Sequence, residues 1–290
     1  MSGIPRPETR GEGWTWSRVA LVATAAVGAS LLLVVAVNRW ATPSDEHAYW
    51  LAARRLIDGL PLYDPSATPV TPYAYWYPPV LAQLLVPVAL VLPAGAFTAA
   101  WTVMMLGCLW WLARRRLLVT LAMVAFPPVA IEFWFRNIPL VLAVMVVLAV
   151  RRAWLFSVAA SIKLAPGVGI AWLIAAGQRR EAGTAIVVGA AILAVSLLVS
   201  PDAWRDWVSI AMARGPGDEA SFLPIPYLVR AVVGLVLALV AGRAPAPWSG
   251  VGLVMAVTIA LPTLWMTALS LLIAIVPLWR SAPAPQSGLP

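Results

Sequence analysis

Runs of about 15 to 25 apolar residues recur from one end of the chain to the other, and this pattern constrains the fold more than any other feature. In lipid no water is available to satisfy a bare N–H or C=O, so such runs fold as helices that bond within themselves. Composition agrees: the 290 residues are 62% hydrophobic and only 11% charged, against roughly 25% charged for a soluble domain. No polar stretch is long enough to fold alone. The expected fold is all-α, one polytopic transmembrane helical bundle over 19–280, with a cytoplasmic segment at 1–18 and a disordered tail at 281–290. The polar opening MSGIPRPETRGEGWTWSR is too long for a signal n-region, so the first run is read as a retained span.

Charge orients the bundle. The net charge is +8, and of twenty cations all but Lys163 are arginine, mostly clustered between apolar runs. That is the mark of cytoplasmic loops, and it leaves no soluble basic face for nucleic acid. Arg6, Arg10 and Arg18 put the N-terminus inside, before a span at 19–38. A first outer loop follows at 39–93. Its last part, 77–93, is bounded by prolines and has about 14 helical residues, roughly 21 Å, too short to cross a ~30 Å core. It is read as half-embedded. Spans are expected at 96–113 (inward to Arg114-Arg115-Arg116), 117–133 (outward), 138–150 (short, back to Arg151-Arg152) and 183–199 (outward). Residues 153–178 are broken at SIKLAPG and predict two half-helices meeting at Lys163 and Pro166. A second outer loop at 200–224 carries an interfacial tryptophan-rich helix. Residues 225–241 return inward, and 249–279 form a hairpin broken at LPTLW.

The acids, which hardly influence orientation, fall mostly on the outer side of this arrangement. Nine of twelve lie there: Asp45, Glu46, Asp58, Asp64, Glu132, Asp202, Asp206, Asp218 and Glu219. Polar chemistry is therefore expected on that face.

The first outer loop opens with the pair Asp45-Glu46. A carboxylate pair near the headgroups is partly desolvated and feels like-charge repulsion, both of which suit a general base. The alternative is a solvated loop start. Arg54 and Arg55 lie in HAYWLAARRLIDG, read as a surface helix with Tyr49, Leu51, Ala52, Leu56 and Ile57 on its apolar side. They suit lipid phosphates or a substrate phosphate. Asp64-Pro65 reads as turn chemistry. Lys163, an intramembrane cation beside a helix break, suits a lipid-linked phosphate; the alternative is snorkelling to an interface. Arg136 and Arg230 are further phosphate candidates, Arg230 having a structural ion pair with Glu132 or Asp218 as its alternative. Glu46, His47, Tyr49, Tyr77 and Asn137 are supporting positions. His47 lacks a Cys or His partner, so a metal site has little support. Small-residue patterns read as helix packing.

Taken in order, S-D-E-H-A-Y, A-A-R-R-L-I-D-G-L-P-L-Y-D-P and Y-P-P-V-L-A-Q-L-L-V-P-V-A-L-V-L-P resemble the first outer loop of glycosyltransferase family 87. I-K-L-A-P-G resembles that family's lysine-proline segment, and S-P-D-A-W-R-D-W its later outer loop. The similarity is dense over 44–93, moderate to about 208 and faint beyond. The family's G-Q-x-N turn stands here as Arg136-Asn137-Ile138-Pro139, and its late histidine-bearing segment as L-P-T-L-W-M-T.

The resemblance implies a GT-C-type bundle in the plasma membrane. It implies transfer of a sugar, commonly mannose, from a polyprenyl phosphate to an envelope glycolipid or glycan on the outer face. Asp45 would be the base, inversion the stereochemical outcome, and Lys163, Arg230 or Arg136 the groups that receive the leaving phosphate. No cofactor is implied; the partners are donor, acceptor and membrane lipid. A lipid-binding or translocating protein without transfer chemistry, or an inactive member that scaffolds an active partner, are the alternatives.

Overall fold

The computed structural model describes residues 16–38, 44–67, 71–213, 221–222 and 224–280. Every regular element among them is helical. Three helices are long and apolar enough to cross a bilayer: α1 (Trp16–Asn38), α4 (Ala94–Leu112) and α10 (Arg179–Val199). At 1.5 Å per residue they span about 28 to 35 Å. Large apolar side chains such as Val103 on α4 and Val187 and Leu198 on α10 are exposed, as a lipid-facing surface requires.

The span expected at 117–133 is not one helix. It is α5 (Leu117–Val124) and α6 (Pro127–Phe135), bent by 82° at the junction. Pro127 and Pro128 supply no N–H to the ladder, and the residue before a proline is driven out of the helical region. Phe126 is accordingly extended, with ψ at 113°. The prolines start a new helix instead of continuing the old one.

The other short elements follow the sequence expectation. α3 (Pro79–Val91) is a 13-residue helix, and α7 (Pro139–Ala149) has 11 residues, with Leu140, Leu142, Ala143, Val146 and Ala149 buried by neighbours. α8 (Trp154–Ile162) and α9 (Val168–Ala175) are joined through Lys163 and a 3-10 turn, Ala165–Gly167. α12 (Tyr227–Arg243) packs against α9 and against α13 (Trp248–Ile259). The chain then breaks and returns as a 3-10 helix, Met266–Ala274, running into α14 (Ile275–Arg280). Small residues allow these approaches: a Cβ on Gly234 would stand 2.7 Å from the Ala256 carbonyl, and one on Gly28 would overlap the Leu121 carbonyl where α1 meets α5.

At one end of the bundle lie α2 (Asp45–Ile57), α3 and α11 (Pro201–Ala213). Tyr75 ties the start of α3, donating to the Pro78 carbonyl at 2.9 Å and accepting the Ala82 N–H at 3.0 Å. That N–H belongs to the first turn and has no partner within the helix. The Trp50 indole donates to the Leu92 carbonyl at 2.9 Å, fixing α2 along α3. Trp204 donates to the Ser196 hydroxyl at 2.9 Å and Trp207 lies against it edge-on, anchoring α11 to the end of α10.

The buried face of α2 differs from the expected one. Tyr49 and Ala52 are buried as expected, but Leu51, Leu56 and Ile57 are not; Glu46, Ala48 and Ala53 take their place.

Candidate active site

Asp45 is the first residue of α2, and its side chain is half-buried. The Asn137 amide donates to Asp45 Oδ2 at 2.5 Å. The amide cannot turn the other way without loss, because Asn137 Oδ1 already accepts the Ile138 N–H at 2.7 Å and the Tyr77 hydroxyl at 2.8 Å. The Tyr49 hydroxyl lies 3.0 Å from that of Tyr77 and 3.1 Å from Asn137 Oδ1. Burial pushes both tyrosines well above their ordinary range, and Asp45 pushes each further. They stay neutral and donate, holding Asn137 so that it presents N–H to the carboxylate.

Lys163 reaches the same place from the opposite helix break. α8 ends there, Lys163 takes an extended conformation with ψ at 117°, and its Nζ lies 5.4 Å from the centroid of the Tyr77 ring. Tyr77 therefore touches the ammonium with its ring face and Asn137 with its hydroxyl, and Asn137 holds Asp45. This chain of contacts joins the early acid to the only lysine across 118 positions of sequence.

Asp45 and Glu46 do not form a carboxylate dyad. Neighbours on a helix point about 100° apart, and Glu46 turns into the protein, where it is fully buried. Its Oε1 accepts from Ser44 at 2.7 Å, from Thr98 at 3.1 Å and from Arg136 at 3.3 Å. The Arg136 Nε also donates to Thr102 at 3.1 Å. Arg136 stands in a left-handed turn, φ 50°, that ends α6. Its guanidinium thus braces the first turn of α2 against α4, a structural use that the sequence reading did not include. Arg136→Gln is expected to destabilise the fold by about 3 to 5 kcal/mol, because it strands a buried carboxylate. Adding Glu46→Gln should recover most of that. Thermal melting in detergent checks both, and an unchanged midpoint in the single variant would remove the brace.

Arg230 is also committed elsewhere. It is 2% exposed and donates to the carbonyls of Ile225, Leu261 and Pro262 at 3.0, 2.6 and 2.8 Å. The last two are carbonyls freed where α13 ends and the chain breaks, and the first lies just before α12, so the arginine ties the start of α12 to that break. Neither expected role, phosphate contact or ion pair with Glu132, is what these bonds show; Asp218 lies outside the described residues. Arg54 pairs with Asp58 at 3.3 Å on the surface. Arg55 is exposed and His47 packs between Trp50 and Tyr73. Asp64 caps its own turn, accepting the Ser66 N–H and hydroxyl at 2.9 and 2.6 Å.

One group at the site was expected only as an outer-face acid and as a possible partner of Arg230. Glu132, fully buried on α6, accepts the Leu140 N–H at 3.4 Å and lies within electrostatic reach of Asp45 and Lys163. The sequence signal existed: an acid inside an apolar run is costly and marks function as much as a lysine does. Thr98 and Thr102, one turn apart on α4, had no such signal, since hydroxyls in apolar helices commonly bond their own backbone.

Fold and site together define an integral membrane protein that gathers a carboxylate, two phenols, an amide and an ammonium at one end of a helical bundle. The chain belongs to glycosyltransferase family 87, whose description matches residues 75–284, more than two thirds of its length. It is a glycosyltransferase. The match begins after Asp45 and runs through the C-terminal helices, where the resemblance by motif was faint. Comparison with curated proteins gives no match, and comparison with solved structures gives none either.

Proposed function

We propose that the protein transfers a sugar, mannose by family resemblance, from a polyprenyl-phosphate donor to a hydroxyl of an envelope glycolipid or glycan. The observation that carries this reading is the Tyr77–Asn137 link, which connects the Asp45 carboxylate to the Lys163 ammonium through one phenol and one amide. In the step, Asp45 takes the proton of the acceptor hydroxyl as its oxygen attacks the anomeric carbon from the face opposite the phosphate. The bond from that carbon to the phosphate oxygen breaks, and its electron pair leaves with polyprenyl phosphate. The donor phosphodiester carries one negative charge and the leaving monoester approaches two, so a cation is needed more than an acid. Lys163 supplies it. One displacement gives inversion.

Sidedness supports the same reading. Thr98 lies near the start of α4, which ends just before Arg114-Arg115-Arg116; α7 begins beside Asn137 and ends before Arg151-Arg152. The site and the arginine clusters lie at opposite ends of these helices. The positive-inside bias favours the outer face for Asp45, and we propose the plasma membrane as its location.

The test is sugar transfer by the purified chain in nanodiscs, with a panel of labelled polyprenyl-phosphate sugars and a membrane extract as acceptor. At least one donor is expected to be consumed, with label passing into lipid or glycan. Alongside it, Leu60→Cys in a Cys108→Ala background is expected to react with an impermeant maleimide on intact cells. A panel without turnover, or labelling at position 60 only after permeabilisation, would overturn the proposal.

A further inference from the structure

A cavity of about 230 Å³ lies between α2 and the segment that follows it, lined by Ala48, Ala52, Arg55, Asp64, Tyr73 and Tyr75 among others. The reaction as described above leaves it unused. We infer that this cavity is the subsite for the acceptor, and that its ligand is a hexose ring. The inference rests on the proposed transfer.

Position is the first argument. At 100° per residue, Tyr49 lies about 40° to one side of Asp45 on the helix, and Ala48 and Ala52 about 60° and 20° to the other. Tyr49 faces Asn137 and Lys163 through the hydrogen bonds above. Ala48 and Ala52 face the cavity. Ala48, one turn along α2 from Asp45, is the helix residue of the lining nearest to the carboxylate, and the cavity runs from there toward Arg55 on the flank opposite Tyr49. A ring seated at the Ala48 end would bring a hydroxyl toward Asp45 from the side away from Tyr49 and the ammonium, so that the leaving group is received on one side and the nucleophile delivered from the other. The two alanines leave the floor low enough for a ring to lie along the helix.

Lining chemistry is the second argument. A pyranose has an apolar C–H face and a rim of hydroxyls. Tyr73 and Tyr75 supply aromatic surface, and Tyr73 is itself backed by His47 at 4.7 Å between ring centroids. Arg55 and Asp64 lie within electrostatic reach of each other on the cavity wall. A guanidinium and a carboxylate side by side can bond adjacent hydroxyls of one ring, the first as donor and the second as acceptor. Size agrees as well: sites for drug-sized molecules run from about 300 Å³ upward, so this one suits a single sugar ring. The lipid part of a glycolipid acceptor would remain in the membrane beside it.

The experiment uses the full chain in nanodiscs, with methyl α-D-mannopyranoside as the probe and saturation-transfer difference NMR as the readout. Ring-proton signals are expected with the wild type, and are expected to fall about tenfold in Tyr73→Ala and in Arg55→Gln. Both side chains are exposed, so neither change should alter the melting midpoint, which is measured in parallel. In transfer assays the same variants should raise the acceptor KM and leave the donor KM unchanged. Binding that is absent in the wild type, or equal in all three proteins, overturns the subsite. Binding is read without turnover, so the failure of transfer and the failure of this subsite give different results.

Discussion

Asp45→Asn is expected to lower sugar transfer by about 10²- to 10⁴-fold, the range general-base removal produces. The substitution is nearly isosteric and the side chain is only half-buried, so the helix around it should survive. What changes is the acceptor. Asn137 is locked with its N–H toward position 45 by two donors on its own oxygen. An asparagine there can still accept that N–H through its amide oxygen, which preserves the geometry. Its nitrogen has no basic lone pair for the incoming hydroxyl. Donor KM should therefore stay within a small factor while kcat falls. Transfer at wild-type rate by this variant would remove Asp45 from the chemistry, whatever became of the family assignment.

Lys163→Met is expected to lower kcat by about 10²- to 10³-fold, the cost of removing one group aimed at charge that develops in the transition state. Methionine keeps the unbranched shape and the packing against Tyr77 but not the charge. Lys163→Arg should recover part of the rate, since charge persists while the planar guanidinium places it differently. A merely snorkelling lysine would give a different result: the Met variant would insert and turn over like the wild type. The split between kcat and donor KM separates charge stabilisation in the transition state from ordinary donor binding.

Much of the bundle was legible because lipid leaves few choices. Apolar length and arginine placement located α1, α4 and α10, and the proline in S-I-K-L-A-P-G located the break after α8. The prolines of α6 were equally visible, but their consequence was not read. Pro127 and Pro128 sit inside an apolar run long enough to cross, and length masked the break. At the site, Asp45 and Lys163 stood out as charges where charge is costly. Their connection through Tyr77 and Asn137 could not be read, because it depends on how the bend between α5 and α6 and the break after α8 bring distant parts of the chain together. The arginines carry a structural use that the sequence did not announce, for a physical reason. A guanidinium has five donors, and carbonyls released at a helix break compete for them as well as phosphate does. Arg230 is used in that way and Arg136 holds Glu46. Sequence alone does not distinguish these uses.

The 82° turn at Phe126 has a consequence for how this chain can be damaged. A straight continuation of α5 would carry Glu132, Arg136 and Asn137 along the α5 axis, away from the start of α2. Two rings without an N–H redirect the backbone so that an amide and two charged groups arrive beside α2. Position here is dictated by punctuation of the main chain, and inactivating lesions can therefore arise at residues that offer no polar side-chain atom at all.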